Sequence, residues 1–238
     1  MHKYANPARF MRIATAIFPW ASILCVLLMA AGLYFALFDS PPDYQQGDTV
    51  RIMYIHVPSA WMGMVCYTAM AAGSASFLIW RHPLGDILAR ATAPIGATFT
   101  FLCLVTGSLW GRPMWGDWWV WDARLTSMLI LFFLYLGYMA LADAFDDPVR
   151  GQRAAAILAV VGFVNVPIIK WSVDWWNTMH QPASIMRMGG PAIHSSMLVP
   201  LFLLAGGFQL FYVAVLIVRM RAEIAQQKIL ALRMAQFA

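Results

Sequence analysis

The chain has 238 residues, of which 61% are hydrophobic and 11% charged, with a formal net charge of +5. That balance excludes an ordinary soluble domain, in which about a quarter of residues are charged. The basic residues are scattered at the ends of hydrophobic runs and form no stripe, so the positive charge is a membrane-topology signal and not a nucleic-acid surface.

Taken in order, the chain opens with a short basic flank carrying His2, Lys3, Arg9 and Arg12. Six hydrophobic runs follow, at 17–38, 57–80, 92–109, 125–144, 154–169 and 197–219. Each is long enough to cross a hydrocarbon core of about 30 Å as a helix. Open strands leave backbone groups unsatisfied in lipid, so the expected fold is an all-α integral membrane protein with six transmembrane helices in one polytopic domain, 1–238. The first run is too long for a cleaved leader and no small-residue cleavage site follows it, so it reads as a retained span. Pro167 is expected to end or kink the fifth run. The outer loops are expected at 39–56, 110–124 and 170–196. The inner connection at 143–153 sets Asp146 and Asp147 against Arg150 and Arg153 around Pro148. After Arg219 the tail is expected to continue as a helix.

An even number of spans puts both ends of the chain on one side. That side holds eleven of the basic residues and the other holds five, Arg51, Arg112, Arg124, Lys170 and Arg187. The positive-inside rule then makes the termini cytoplasmic. Every tryptophan-rich loop faces the opposite compartment, which is the periplasm if the membrane is a bacterial inner membrane.

Chemistry concentrates in the second outer loop, 110–126, WGRPMWGDWWVWDARLT. Five of the eleven tryptophans, Trp110, Trp115, Trp118, Trp119 and Trp121, fall within twelve residues. Indoles prefer a place apolar on one side and wet on the other, which either an interfacial belt or a platform for a flat ligand provides. Five in one connection exceed what anchoring needs, and the ligand surface is the favoured reading. Trp118 and Trp119 lead the candidates for it, with Trp115 close behind. Gly111 and Gly116 let the segment turn tightly. Asp122 is placed to cap the fourth span. Arg124 has several options: an ion pair with Asp122 or Asp117, snorkelling to the interface, or bidentate contact with a ligand carboxylate. Arg51, Arg112 and Arg187 compete for that last role.

Histidines avoid the middle of every run. A lone loop histidine is most often a partly exposed polar residue, but two have apolar and aromatic neighbours. His56 sits among Tyr54, Ile55 and Val57 at the mouth of the second run, and His180 follows Trp175, Trp176 and Met179. Were the third outer loop locally helical, Trp176 and His180 would share a face, as would Trp171 and Trp175. Imidazole beside an indole wall suits haem, whose iron takes axial nitrogen ligands. His194 is read as structural. The cysteines, Cys25, Cys66 and Cys103, form no CxxC pair and read as buried small hydrophobes. No nucleotide-binding loop, zinc-ligand spacing or nucleophilic triad stands out. No ionisable residue is placed at mid-bilayer depth, as a polar conduit would need. No residue is assigned a catalytic role.

WGDWWVWDARLT at 115–126 resembles the tryptophan-rich "WWD" signature of the haem-handling protein superfamily. Within it, PPDYQQGD, YIHVPSAW, APIGATFTFLCLVTGSLWG and WWNTMHQ are similar to segments of the family of cytochrome c maturation protein C, or haem exporter protein C. The resemblance covers 41–181. It implies that His56 and His180 are axial ligands to the iron of haem b, iron protoporphyrin IX. With it come Trp115, Trp118, Trp119, Trp121, Asp122 and Arg124 as the surrounding site. It implies a haem-binding chaperone of the bacterial inner membrane that holds haem at the periplasmic face and delivers it to a periplasmic haem chaperone, protein E. The implied partners are an ATP-binding cassette transporter of proteins A and B, the small single-span protein D, and membrane lipid. A subunit that moves haem across the membrane is the alternative, and a permanent electron-transfer haem would instead need histidine pairs inside the spans. Whether the transfer makes the protein an enzyme is left open.

Overall fold

A computed structural model describes residues 6–176, 178–180, 184–185 and 188–236. Among these, six helical segments are long and apolar enough to cross a membrane, and no strand forms beyond one isolated bridge between Asp43 and Gly47. The six-span expectation holds. His2, Lys3 and Arg187 lie outside the described residues.

Helix α1 spans Pro7–Tyr34. It starts where the Asn6 side chain accepts the Ala8 N–H at 2.9 Å and Pro7 presets the first turn. A single π-helical turn, Phe35–Asp39, closes it. A short 3-10 turn, Asp48–Ile52, leads into α2, Met53–Trp80. The first outer connection is therefore shorter than expected, and His56 stands inside the first turn of α2. Helix α3, Pro83–Trp115, has 33 residues and a length of about 50 Å. It outruns the expected span at both ends, so Trp110 and Trp115 lie on its last turns and not in a loop.

Helix α4 spans Ala123–Asp143. The fifth run is two helices, α5, Pro148–Gly162, and α6, Asn165–Trp175, with a break at Phe163 and Val164. Pro167 explains its position: its ring lacks an N–H and clashes with the carbonyl four residues back, which is that of Phe163. The break is tied to α4 by the Asn165 amide, which donates to the Ser127 carbonyl at 2.8 Å. Asp147 caps α5 and pairs with Arg150 at 3.6 Å. Helix α7, Ser195–Gln236, has 42 residues, about 63 Å, and continues past its span as expected. Arg221 of α7 donates to the Thr15 hydroxyl of α1 at 3.0 Å, so the early part of α1 and the late part of α7 share one end of the bundle.

Lipid tails are as apolar as side chains, so close packing has to hold the helices together, and small residues permit it. α1 leans on α7, where Cβ atoms on Gly32 and Gly207 would come within 2.7 Å of Leu204 and 2.6 Å of Met29. α2 and α3 form a hairpin that turns at Arg81, in the left-handed region at φ 51. Above it, Gly73 and Gly85 bring the two backbones together: a Cβ on Gly85 would sit 2.6 Å from the Gly73 carbonyl oxygen. The core beyond is tyrosine-rich, with Tyr67, Tyr135 and Tyr138 fully buried. The Tyr135 hydroxyl donates to the Gly63 carbonyl at 2.8 Å. The three cysteines are buried and unpaired, as expected.

Because the obstacle is backbone, Gly85→Val should prise the hairpin apart at a cost of about 1–3 kcal/mol, the range for overpacking. The expected outcome is a lowered midpoint of thermal aggregation in detergent. An unchanged midpoint would show that this crossing is looser than the distances state.

Candidate functional site

Two histidines, from α2 and from the segment after α6, come together at the tryptophan-rich end of the bundle. His56 is held from α3. Its Nδ1 lies 3.0 Å from the Cys103 carbonyl oxygen and 3.2 Å from the Thr106 hydroxyl. A carbonyl only accepts, and the Thr106 hydroxyl already donates to the Leu102 carbonyl at 2.7 Å. Nδ1 of His56 therefore carries the proton, and the Nε2 lone pair is left free. The ring fits because residue 107 is glycine: a Cβ there would come 2.9 Å from Cε1 of His56.

The Trp110 indole meets the same imidazole edge to face, with centroids 5.6 Å apart. Trp110 is fixed in turn by its N–H, which donates to Oε1 of Gln46 at 2.9 Å. Gln46 belongs to a tight loop in which Asp43 accepts the N–H groups of Gln45 and Gln46, each at 2.9 Å. Gly47 turns that loop at φ 55. Arg51 pins the loop by donating to the Leu37 and Ser40 carbonyls and pairing with Asp48 at 3.1 Å.

His180 is held from the other side. Its Nδ1 lies 2.8 Å from Oδ2 of Asp122, and the Thr178 hydroxyl donates to the same oxygen. The backbone N–H of His180 donates to Thr178 Oγ1 at 3.1 Å. The other carboxylate oxygen of Asp122 accepts the Leu125 N–H at 2.8 Å, the N-cap bond of α4 expected from the sequence. Again the acceptor dictates the tautomer, and again Nε2 has no partner among the described residues. The Trp115 indole stands edge to face against the His180 ring, centroids 4.9 Å apart. α6 ends at Trp175 and Trp176 is extended at φ −131, so the helical face joining Trp176 to His180 does not form. Trp115 of α3 takes that place. Trp171 and Trp175 do stack along α6, at 5.9 Å.

Burial pushes the His180 imidazole below its ordinary value; the Asp122 bond and charge pull it back up without cancelling that, and the Arg124 charge lowers it further. For Asp122, burial pushes the carboxyl up. The hydrogen bonds from Leu125, Thr178 and His180, with the charge of His180, outweigh this and hold it below the usual range. Neutral imidazole facing carboxylate is the resting state at pH 7. His180 and Arg124 both lie close enough to His56 for their charges to act on it.

The rest of the tryptophan segment makes contacts of its own beyond α3. Gly116 turns the chain out of α3 at φ 85. Trp118 is exposed, its carbonyl held by the Ser108 hydroxyl at 2.8 Å and its ring 5.9 Å from the Arg112 guanidinium. Trp119 packs against the exposed Trp121, centroids 5.5 Å apart, and its indole N–H is buried without a partner. Arg124 reaches the Lys170 carbonyl at 3.4 Å, while its Nε is buried and unpartnered. Arg51 and Arg112 are spent on nearby carbonyls, Arg112 on that of Gly116. His194 binds the Ser196 hydroxyl at 2.8 Å beside the start of α7.

A bare metal ion needs three or four protein ligands, and among the described residues no group of three His, Cys, Asp or Glu could hold one. Two free imidazole nitrogens on separate elements suit an ion that brings its own equatorial ligands. Trp119 Nε1 and Arg124 Nε are buried donors without acceptors, groups that an anionic partner would satisfy. Sequence reasoning missed Gln46, Thr106, Gly107 and Thr178, and it counted Trp110 in the cluster without giving it a place in the site. Thr178 stood inside the segment singled out for His180; nothing in the residue pattern tied Gln46 to Trp110.

The family model described as "Heme exporter protein C" (CcmC) matches residues 1–235. The chain belongs to the haem exporter protein C family. Relatives of that name include one from Bradyrhizobium diazoefficiens, 56% identical over 232 residues, covering 98% of this chain and 88% of the relative. The Escherichia coli K12 relative is 46% identical over 222 residues, 93% and 89% of the two chains. That of Paracoccus denitrificans is 42% identical over 231 residues, 97% and 95%. The matched stretch of haem exporter protein C runs through every element of the site.

Nitrogen NMR of histidine-labelled protein at pH 7 should show both His56 and His180 protonated at Nδ1, with a pyridine-type Nε2. On acidification His180 should take its second proton only below about 6.5, the ordinary histidine value. An Nε2–H signal for either residue would contradict the hydrogen-bond assignment.

Proposed function

We propose that this haem exporter protein C family member holds haem at the outer face of a bacterial inner membrane. Haem is its cargo, and His56 and His180 bind the iron through Nε2. The observation that carries this reading is the shared design of the two imidazoles. Each is anchored through Nδ1 by a buried acceptor, each is braced by an indole of α3, and each keeps Nε2 free. Second-partner bonds of this kind fix ring orientation and raise ligand basicity at metal sites. Haem supplies the iron and the reactive vinyl edge; the protein supplies orientation and shelter.

Trp115, Trp118, Trp119 and Trp121 offer the apolar wall, and Asp122 holds His180 to it. Arg124 and the Trp119 indole N–H are the donors suited to a propionate. The charge asymmetry of the chain supports cytoplasmic termini and a periplasmic site. Delivery to the periplasmic chaperone, protein E, fits a site at the mouth of the bundle, where one haem edge meets the recipient by proximity. Energy from ATP would come from the transporter subunits A and B, with protein D as the small partner. Transport through this chain alone finds less support. The buried Asp86, with Arg90 at 3.7 Å, sits in the first turns of α3, far along that helix from the histidines.

Purified His56→Ala and His180→Ala variants should each lose most bound haem and the low-spin spectrum of a bis-imidazole complex. Loading of the periplasmic chaperone in cells should fall with it. Wild-type haem content in both variants would sink the ligand assignment. Reporter fusions near Trp121 and after Arg233 should report opposite compartments.

A further inference from the structure

We infer that the two imidazoles are unequal as iron ligands, and that Asp122 is the positioning residue that makes His180 the stronger partner of ferric iron. The inference rests on the haem-holding reading above. It follows from what stands behind each ring. His180 donates to a carboxylate oxygen at 2.8 Å, and that carboxylate is almost fully buried. His56 donates to a peptide carbonyl at 3.0 Å and a hydroxyl at 3.2 Å, both neutral. The Cys103 carbonyl is also shared with the Thr106 hydroxyl, at 3.2 Å.

A hydrogen bond to an ionised acceptor is about twice as strong as one between neutral groups. It draws the Nδ1 proton away from the ring and leaves more electron density on Nε2. Ferric iron carries one more positive charge than ferrous iron and gains more from that density. Burial keeps solvent from screening the effect. The carboxylate is locked on both sides, by Leu125 N–H on one oxygen and Thr178 on the other, so it stays aimed at Nδ1 whether or not iron is bound. Among the described residues, Arg124 is the cation whose charge acts on both members of the pair, and no ion pair joins it to Asp122.

Asp122→Asn removes the charge behind His180. Asparagine is an equally good N-cap through its single carbonyl oxygen, and that leaves no anionic acceptor for Nδ1–H. With haem bound to the full chain, a spectroelectrochemical titration of the one-electron ferric/ferrous couple reads the difference. Changes in such outer partners alter metal affinity ten- to a hundredfold. At the low end, a tenfold loss of preference for ferric iron raises the midpoint potential by about 59 mV. Thr106→Val, which trims the neutral contact behind His56, should move it far less. Should Asp122→Asn lose its haem, ferric and ferrous haem titrated separately into the purified variant measure the same preference. An unchanged preference, or an equal shift in Thr106→Val, overturns the inference while the ligand assignment stands. Wild-type haem content in His180→Ala would instead overturn the reading beneath it.

Discussion

One buried carboxylate ties this structure's function to its fold. Asp122 accepts the Leu125 N–H at the start of α4, the hydroxyl of Thr178 and Nδ1 of His180. It thereby joins three things that the chain keeps far apart: a transmembrane helix, the end of the tryptophan segment and a loop 58 residues further on. A buried carboxylate without such partners would be expensive. Here burial is offset by the hydrogen bonds it receives, and the same bonds aim the imidazole. Among the described residues, no other polar tether of this kind joins the third outer segment to the bundle at His180.

The second constraint is the bilayer itself. Without a hydrophobic drive between helices, contacts must be close, and the α2–α3 hairpin meets this with glycine at the crossing and glycine again at residue 107. That second glycine is where packing turns into function, because it leaves room for the His56 ring. The length of α3 matters equally. By continuing to Trp115 it carries Trp110 and Trp115 on one rigid rod, one indole against each histidine. A site on helix ends is held more sharply than one on loops alone.

Much of this was legible in the residues. Six apolar runs forecast six spans, Asp122 ahead of the fourth run forecast a cap, and the aromatic neighbours of His56 and His180 marked them out. Boundaries were less legible, because Trp110 and Gly111 read as loop chemistry, yet the helix runs through them. Propensity is a weak prior where tertiary contacts of Trp110 and Trp115 favour continuing the helix. The link from Gln46 to Trp110 crosses 64 positions and has no periodic signature at all. Trp176 shows the opposite error: helical spacing pairs it with His180, but α6 ends at Trp175, before that face can form.

The division of labour between the two histidines gives the site its logic. His56 is built into the bundle, on a helix, against a second helix, with no charged partner. His180 rides a segment outside the helices and is held chiefly by Asp122 and Thr178. A ligand that bridges them necessarily bridges the rigid and the tethered parts of the protein. His180 is oriented by a charged acceptor, and His56 by neutral acceptors and close packing against α3.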